Sequence, residues 1–277
     1  MGLYAETCVR AELDKLWDRT QDPAQRRRWD LRFTRITRLR PGTDVTALPG
    51  TDETPRPPGT DKTLRPPGTD GEPQRFRYTA CLLPFLLVSG TGITAGERHR
   101  TDGTRTSALR LAFTHPLSPI AEGGGYLRYV PEGDGVRLIT GFDYRPRGGA
   151  LGARLDRLLL RPLAGWATAW SFDRLRLWLE RGITPERALL NWLAELLTRA
   201  LMLMASGTGL VLGSAAGPSG ELAPVVAYLC PMLLLVAMSL ALFKAPLAGT
   251  PAARRCRRTP PVRARTPRLL CCLENPS

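Results

Sequence analysis

From Ala200 to Phe243 the chain carries one carboxylate, Glu221, and no lysine or arginine. Arg199 and Lys244 bound this stretch, and Glu221 divides it into two runs, Ala200–Gly220 and Leu222–Phe243. A helix needs about 20 apolar residues to cross hydrocarbon, and both runs are long enough. The second, LAPVVAYLCPMLLLVAMSLALF, is apolar almost throughout. The first contains Gly207, Gly209, Gly213 and Gly217, small residues of the kind that let membrane helices approach closely. The pattern predicts a two-helix transmembrane hairpin over 200–243, turning at Gly217–Gly220. The rival is a helical hairpin buried in a soluble core.

Flanking charge gives an orientation. Arg181, Arg187 and Arg199 precede the hairpin, Lys244 and seven arginines follow it, and 213–221 has no positive residue. Cytoplasmic loops carry the excess of Lys and Arg, so the expectation is a cell-membrane protein with two spans and both termini in the cytoplasm. Residues 244–277 read as a basic disordered tail, with eight positive side chains against Glu274. Such a cluster is drawn to anionic headgroups by about 1 kcal/mol per charge. Nucleic-acid phosphates attract the same residues, but no aromatic interleaves the tail. An anionic membrane surface is therefore the expected partner, and nucleic acid is not.

The first 181 residues have a different character. Leu3–Val9 and Leu31–Leu39 alternate as strands do, and two short helices fit between them. Asp22-Pro23 has the form of a cap followed by a first-turn proline. Five strand signals with glycine-rich turns follow between 75 and 147. In the last of them Val136, Leu138, Thr140, Phe142 and Tyr144 share one face, which predicts a sheet with one apolar side. A long helix is expected over 149–180, kinked at Pro162. A linker helix over 182–199 then leads into the first span. Between strands two and three, PGTD recurs at Pro41, Pro49, Pro58 and Pro67. These units carry too little apolar surface to form a core, so 40–72 reads as a disordered insertion.

Within this order, RRRWDLRFTRI (Arg26–Ile36), GGGYLRYVP (Gly123–Pro131) and GWATAWSFDRLRLWLE (Gly165–Glu180) resemble a bacterial, membrane-anchored branch of the START-like superfamily. That superfamily groups polyketide cyclase/dehydrase-like proteins with lipid-transport domains. The resemblance implies an α+β helix-grip fold, in which a curved antiparallel sheet wraps a long C-terminal helix around an apolar cavity. It identifies no reaction, because carriers and enzymes share the fold.

Candidate site residues follow from this plan. Trp29, Phe33, Phe76, Tyr78, Tyr126, Phe142, Tyr144, Trp166 and Trp170 lie on the elements that would enclose a cavity. Trp166 and Trp170 are four apart and share a helix face, which is expected to look inward. Asp143, Arg145 and Arg32 are candidates for orienting a polar headgroup or moving protons; as strand residues they also fit an outward, solvated face. His99 and His115 both sit at turns. The six cysteines form no CxxC pair, so no metal site is expected. No cofactor motif is present. The expected ligand is an apolar small molecule: a lipid, an isoprenoid quinone or a polyketide.

Overall fold

A computed structural model describes residues 2–38, 74–83, 86–113, 115, 118–216 and 223–260. The PGTD repeats, the expected external turn at 217–220 and the tail beyond 260 lie outside the described residues.

Seven strands form one antiparallel sheet: β1 (Leu3–Val9), β2 (Phe33–Arg38), β3 (Gln74–Leu83), β4 (Leu86–His99), β5 (Arg105–Phe113), β6 (Ile120–Glu132) and β7 (Gly135–Pro146). Their order is β1-β7-β6-β5-β4-β3-β2. Strands β2 to β7 are thus a meander, and β1 crosses over to pair with β7. Helices α1 (Leu13–Gln21) and α2 (Pro23–Trp29) make that crossover. The Asp22 side chain accepts the Ala24 N–H at 2.9 Å and caps α2 as its spacing predicts.

Glycines in the sheet make room for aromatic rings. Gly92 pairs across strands with Phe76, and Gly90 with Tyr78. A Cβ on either would lie within 3 Å of the opposite ring. Gly125 faces Phe142 in the same way. These glycines seat the rings flat on the sheet.

The expected single helix over 149–180 is built in three parts: α3 (Gly149–Leu155), a π turn over Asp156–Leu160, and α4 (Arg161–Arg181). Pro162 lies two residues past the end of the π turn, in the first turn of α4. The wider turn accommodates the missing proline N–H, which would otherwise break the helical ladder. Gly182, at φ +67°, ends α4, a backbone geometry glycine adopts without penalty.

Two further helices follow, α5 (Pro185–Ala216) and α6 (Ala223–Phe243). The start of α5 is docked on the domain and is not a free linker. Arg28 of α2 binds Glu186 through two hydrogen bonds of 2.8 and 3.0 Å. Arg174 of α4 donates to the Pro185 carbonyl. Trp192 packs against Trp166 and Trp170. Beyond this point the helices bury little: Leu197, Leu201, Met204, Tyr228, Met232, Leu233 and Phe243 are all at least 60% exposed. Among the described residues one helix, Pro185–Leu212, is long and apolar enough to cross a membrane. The apolar stretch of α6, Ala227–Phe243, is shorter, so length and composition alone support one span where two were expected.

Residues 244–260 differ most from expectation. Instead of starting a disordered tail, they fold back onto the domain. Arg199 of α5 donates to the carbonyls of Ala241, Lys244 and Ala245, tying the base of the hairpin. Asp173 of α4 is completely buried and accepts four hydrogen bonds of 2.7–2.9 Å: two from Arg176, one from Arg255 and one from the Ala252 N–H. Arg255 also gathers the carbonyls of Pro246, Leu247 and Thr250. Arg257 then exchanges two backbone hydrogen bonds with Glu6 and covers part of the open edge of β1, where unpaired groups invite aggregation. Five of the eight basic residues assigned to the tail, Lys244, Arg254, Arg255, Arg257 and Arg258, therefore belong to a folded clasp.

Removing the carboxylate of Asp173 takes the shared acceptor from half-buried Arg176 and Arg255 and from the Ala252 N–H, a change that costs up to about 3 kcal/mol. Asp173→Ala is expected to open the clasp, so that trypsin cuts at Arg254–Arg258 far faster than in the parent protein. Unchanged cleavage there would show that the clasp does not depend on Asp173.

Candidate functional site

The buried side chains fall into two clusters. One joins α1, α2, β1, the turn ends of β6 and β7, and α4 through Leu16, Trp17, Trp29, Tyr129, Leu138, Trp170, Phe172 and Leu175; Ala253 and Cys256 of the clasp complete it. The other lies across β2–β6 and contains Phe33, Phe76, Tyr78, Leu109, Leu111, Phe113 and Ile120, with Phe142 and Tyr144 against it. Between the second cluster and the start of α4 is a cavity of about 100 Å³. One ordered water needs about 10–15 Å³ by the same measure, so the space is several waters in size.

Its helix wall is Leu160, Leu163, Ala164 and Ala167; its sheet wall includes Phe33, Tyr78, Leu109, Leu111, Phe113, Tyr126, Phe142 and Tyr144. Ala164 and Ala167 are the local cause of the void. They occupy the helix face opposite the sheet, where larger side chains would fill the gap.

Of the nine aromatic residues predicted for the site, five line this cavity: Phe33, Tyr78, Tyr126, Phe142 and Tyr144. Phe76 is in the same cluster, next to Tyr78 at 6.1 Å, but does not reach the cavity wall. Trp29 is fully buried in the other cluster, beside Phe172. Trp166 stacks on Trp170 at 6.3 Å, and both meet Trp192 of α5. This tryptophan face serves the α4–α5 junction, and the cavity is met by the adjacent stripe Leu160–Leu163–Ala164–Ala167. Sequence reasoning passed over that stripe, although its three- and four-residue steps were visible. Asp143 and Arg145 are exposed, and Arg145 lies 3.5 Å from Glu122 on the outer face. Arg32 lines the cavity.

Two polar groups border the apolar walls. The Tyr144 hydroxyl donates to the buried Asp156 carboxylate of the π turn, which also accepts from Arg161 at 3.0 Å. Burial, with help from the Asp156 hydrogen bond and charge, pushes the Tyr144 phenol well above its ordinary range. That makes it a poor proton-transfer group at neutral pH.

The second group is Arg26, Asp30 and Arg32. Asp30 is fully buried and accepts three hydrogen bonds from Arg32: Nε at 2.9 Å, Nη2 at 2.8 Å and the backbone N–H at 3.1 Å. Arg26 approaches the same carboxylate only to 3.7 Å. Both guanidinium groups lie over the Phe33 ring, at 5.0 and 5.7 Å. Burial works to raise the Asp30 carboxyl, but the charge and hydrogen bonds of Arg32, with Arg26 behind them, hold it below the usual carboxylate range. For Arg26 burial dominates, and its pKa is lowered. For Arg32 the close contact with Asp30 outweighs burial, and its pKa is raised. Arg26 is therefore the less compensated cation.

Among the described residues no group of three or more His, Cys, Asp or Glu side chains could hold a metal ion.

No family model matches the chain. It is 38% identical over 186 residues to an uncharacterized membrane protein of Bacillus subtilis (strain 168), YndG. The match covers 67% of this chain and 59% of that relative's length. Among solved structures it is similar to TTHA0849 from Thermus thermophilus (TM-score 0.42, 12% identity, covering 64% of this chain and 97% of the other). It is also similar to a STAR-related lipid transfer protein fragment from Xanthomonas axonopodis (TM-score 0.41, 16% identity, covering 64% and 85%). At these scores the overlaps are loose, and the fold stands on its own strand order and contacts.

A depressed carboxyl contributes stability that is complete above its unfolded pKa, about 3.9 for Asp, and that fades as pH falls through the lower folded value. Asp30→Asn should therefore lower the melting temperature strongly at pH 7, where loss of a buried partner costs about 3–5 kcal/mol. The gap between variant and parent should narrow at pH values below about 4. Thermal melts across that range check both the size and the sign.

Proposed function

We propose that this protein is a membrane-anchored binding protein for an apolar small molecule of the lipid, isoprenoid quinone or polyketide class, held between the sheet and α4. The observation that carries this reading is the cavity itself. Its walls are aromatic and aliphatic, a small number of polar groups sit at its edges, and the helix over it bears alanines where larger residues would close it. Such sites take apolar ligands, and burial supplies roughly 25 cal/mol per Å² of apolar area.

The exposed surface supports a place beside the bilayer. Leu151, Leu155, Leu158 and Leu159 of α3 and the π turn are 42–77% exposed. They lie on the element that leads into the cavity wall at Leu160 and Leu163. Arg154 and Arg157 are exposed among them. Leucines mixed with arginines on an exposed helix suit an anionic membrane interface. A ligand leaving the bilayer here would meet the cavity directly.

The clasp bears on the number of spans. Its residues follow α6 and pack on the domain that precedes α5. Were α5 alone to cross, the clasp would lie on the opposite side of the membrane from its docking surface. The docked clasp therefore supports joint entry of both helices, as a hairpin with the domain and the clasp on one side. At 1.5 Å per residue α6 is about 32 Å long, close to the ~30 Å of the hydrocarbon core. The positive residues at both ends support the cytoplasm as that side.

Mass spectrometry of molecules extracted from the purified full-length protein tests the ligand. A stoichiometric apolar compound is expected. Ala167→Phe, which fills the cavity from the helix side, should lose it while keeping the parent's melting temperature to within a few degrees. Retention of the compound by Ala167→Phe would move the site elsewhere, and an empty parent protein would count against the proposal.

A further inference from the structure

Among the residues that line the cavity, Arg26 and Arg32 are the charged ones. Between them lies one carboxylate, Asp30, so two positive charges face one negative charge. Asp30 is already committed, because Arg32 takes both of its oxygens. Arg26 is left at 3.7 Å from the carboxylate, its Nε is buried without a hydrogen-bond partner, and its side chain is 12% exposed. The Asp156 carboxylate behind Tyr144 cannot serve it, since that group is occupied by Tyr144 and Arg161. The apolar cavity thus carries one net positive charge, concentrated at the end where α2 meets β2.

A buried guanidinium without a matching acceptor is unfavourable in the empty protein. An oxyanion restores the balance, and guanidinium groups match carboxylate and phosphate through paired N–H donors. The remaining walls accept hydrocarbon. We propose that the ligand is an anionic amphiphile, a carboxylate or phosphate monoester on an apolar chain, whose head sits on Arg26 and Arg32 and whose chain lies against Tyr78, Leu111 and Phe142. Arg26 is the principal contact, and Arg32 is held in place by Asp30. This rests on the apolar-ligand reading above and narrows it: neutral sterol-like or quinone-like molecules lack the group the site requires.

The test compares two probes with the same chain, one anionic and one neutral at the head: cis-parinaric acid and its methyl ester. Full-length protein is held in nanodiscs of uncharged lipid, with empty nanodiscs as the blank, in alkaline buffer that keeps the acid ionised. The parent protein is expected to bind the acid at least about tenfold more tightly than the ester, the scale of a charge-assisted hydrogen bond. Arg26→Gln should bring the acid down to the level of the ester and leave the ester unchanged, and Arg26→Lys should recover most of the preference. Equal binding of acid and ester by the parent protein, or a preference that survives Arg26→Gln, overturns the anionic ligand and leaves the apolar-ligand reading standing. Binding of neither probe above the blank removes both. Should Arg26→Gln fail to fold, the comparison in the parent protein and in Arg26→Lys still decides.

Discussion

One buried carboxylate connects the parts of this molecule. Asp173 sits on the central helix, fully enclosed, and takes donors from its own helix and from a segment some 80 residues later. A buried charge is tolerated only when paired and hydrogen-bonded, and Asp173 can be satisfied only when the chain has left along α5, returned along α6 and folded back. The consequence is topological. The two apolar helices have their ends drawn together by Arg199 and Arg255, and the open edge of β1 is partly covered by the same returning strand. The fold of the domain and the placing of the hairpin are therefore one problem.

The cavity has a related origin in unequal packing. Against the α1, α2 and β1 side the long helix presents Ala169, Phe172 and Leu175, all fully buried among Leu16, Trp29 and Leu138. Against the β2–β6 side it presents Ala164 and Ala167 at the level of Phe33 and Tyr78, and the interior stays open. Gly90 of β4 and Gly125 of β6 leave room for the Tyr78 and Phe142 rings to lie down on the sheet, which keeps the space above them clear. An ion cluster that is well matched for Asp30 and poorly matched for Arg26 sits at the edge of that space. Void and excess charge lie together.

Much of this was legible in the sequence. The alternation in 135–147, the Asp22-Pro23 cap and the run of strand signals lead to the observed elements within a few residues. Five of nine aromatic residues proposed for the site border one cavity; register gives Tyr78, Phe142 and Tyr144 a common face, while Tyr126 pairs with Gly141 and lays its ring over the other face of the sheet. The helix was harder. Trp166 and Trp170 share a face, as spacing requires, but spacing does not say which neighbour that face meets, and the answer depends on Trp192 of α5. Arg26 was hidden in a run of three arginines that reads as a solvated surface until Asp30 is seen to be buried. The clasp was hidden for a similar reason. A Pro- and Arg-rich composition normally denotes disorder, and only the distant Asp173 turns Arg255 into a structural residue.

The claim on which the account turns is that α5 and α6 enter the bilayer as a pair and keep the domain and the clasp on one side. Cysteine accessibility in intact bacterial cells measures this directly, using full-length protein whose six native cysteines are replaced. A single cysteine at position 219, between the helices, should react with a membrane-impermeant maleimide from outside the cell. Single cysteines at position 101 in the domain and position 258 in the clasp, both exposed sites, should react only after the cells are opened. Labelling of 258 from outside while 101 stays protected would show that one helix crosses alone, and would contradict the account.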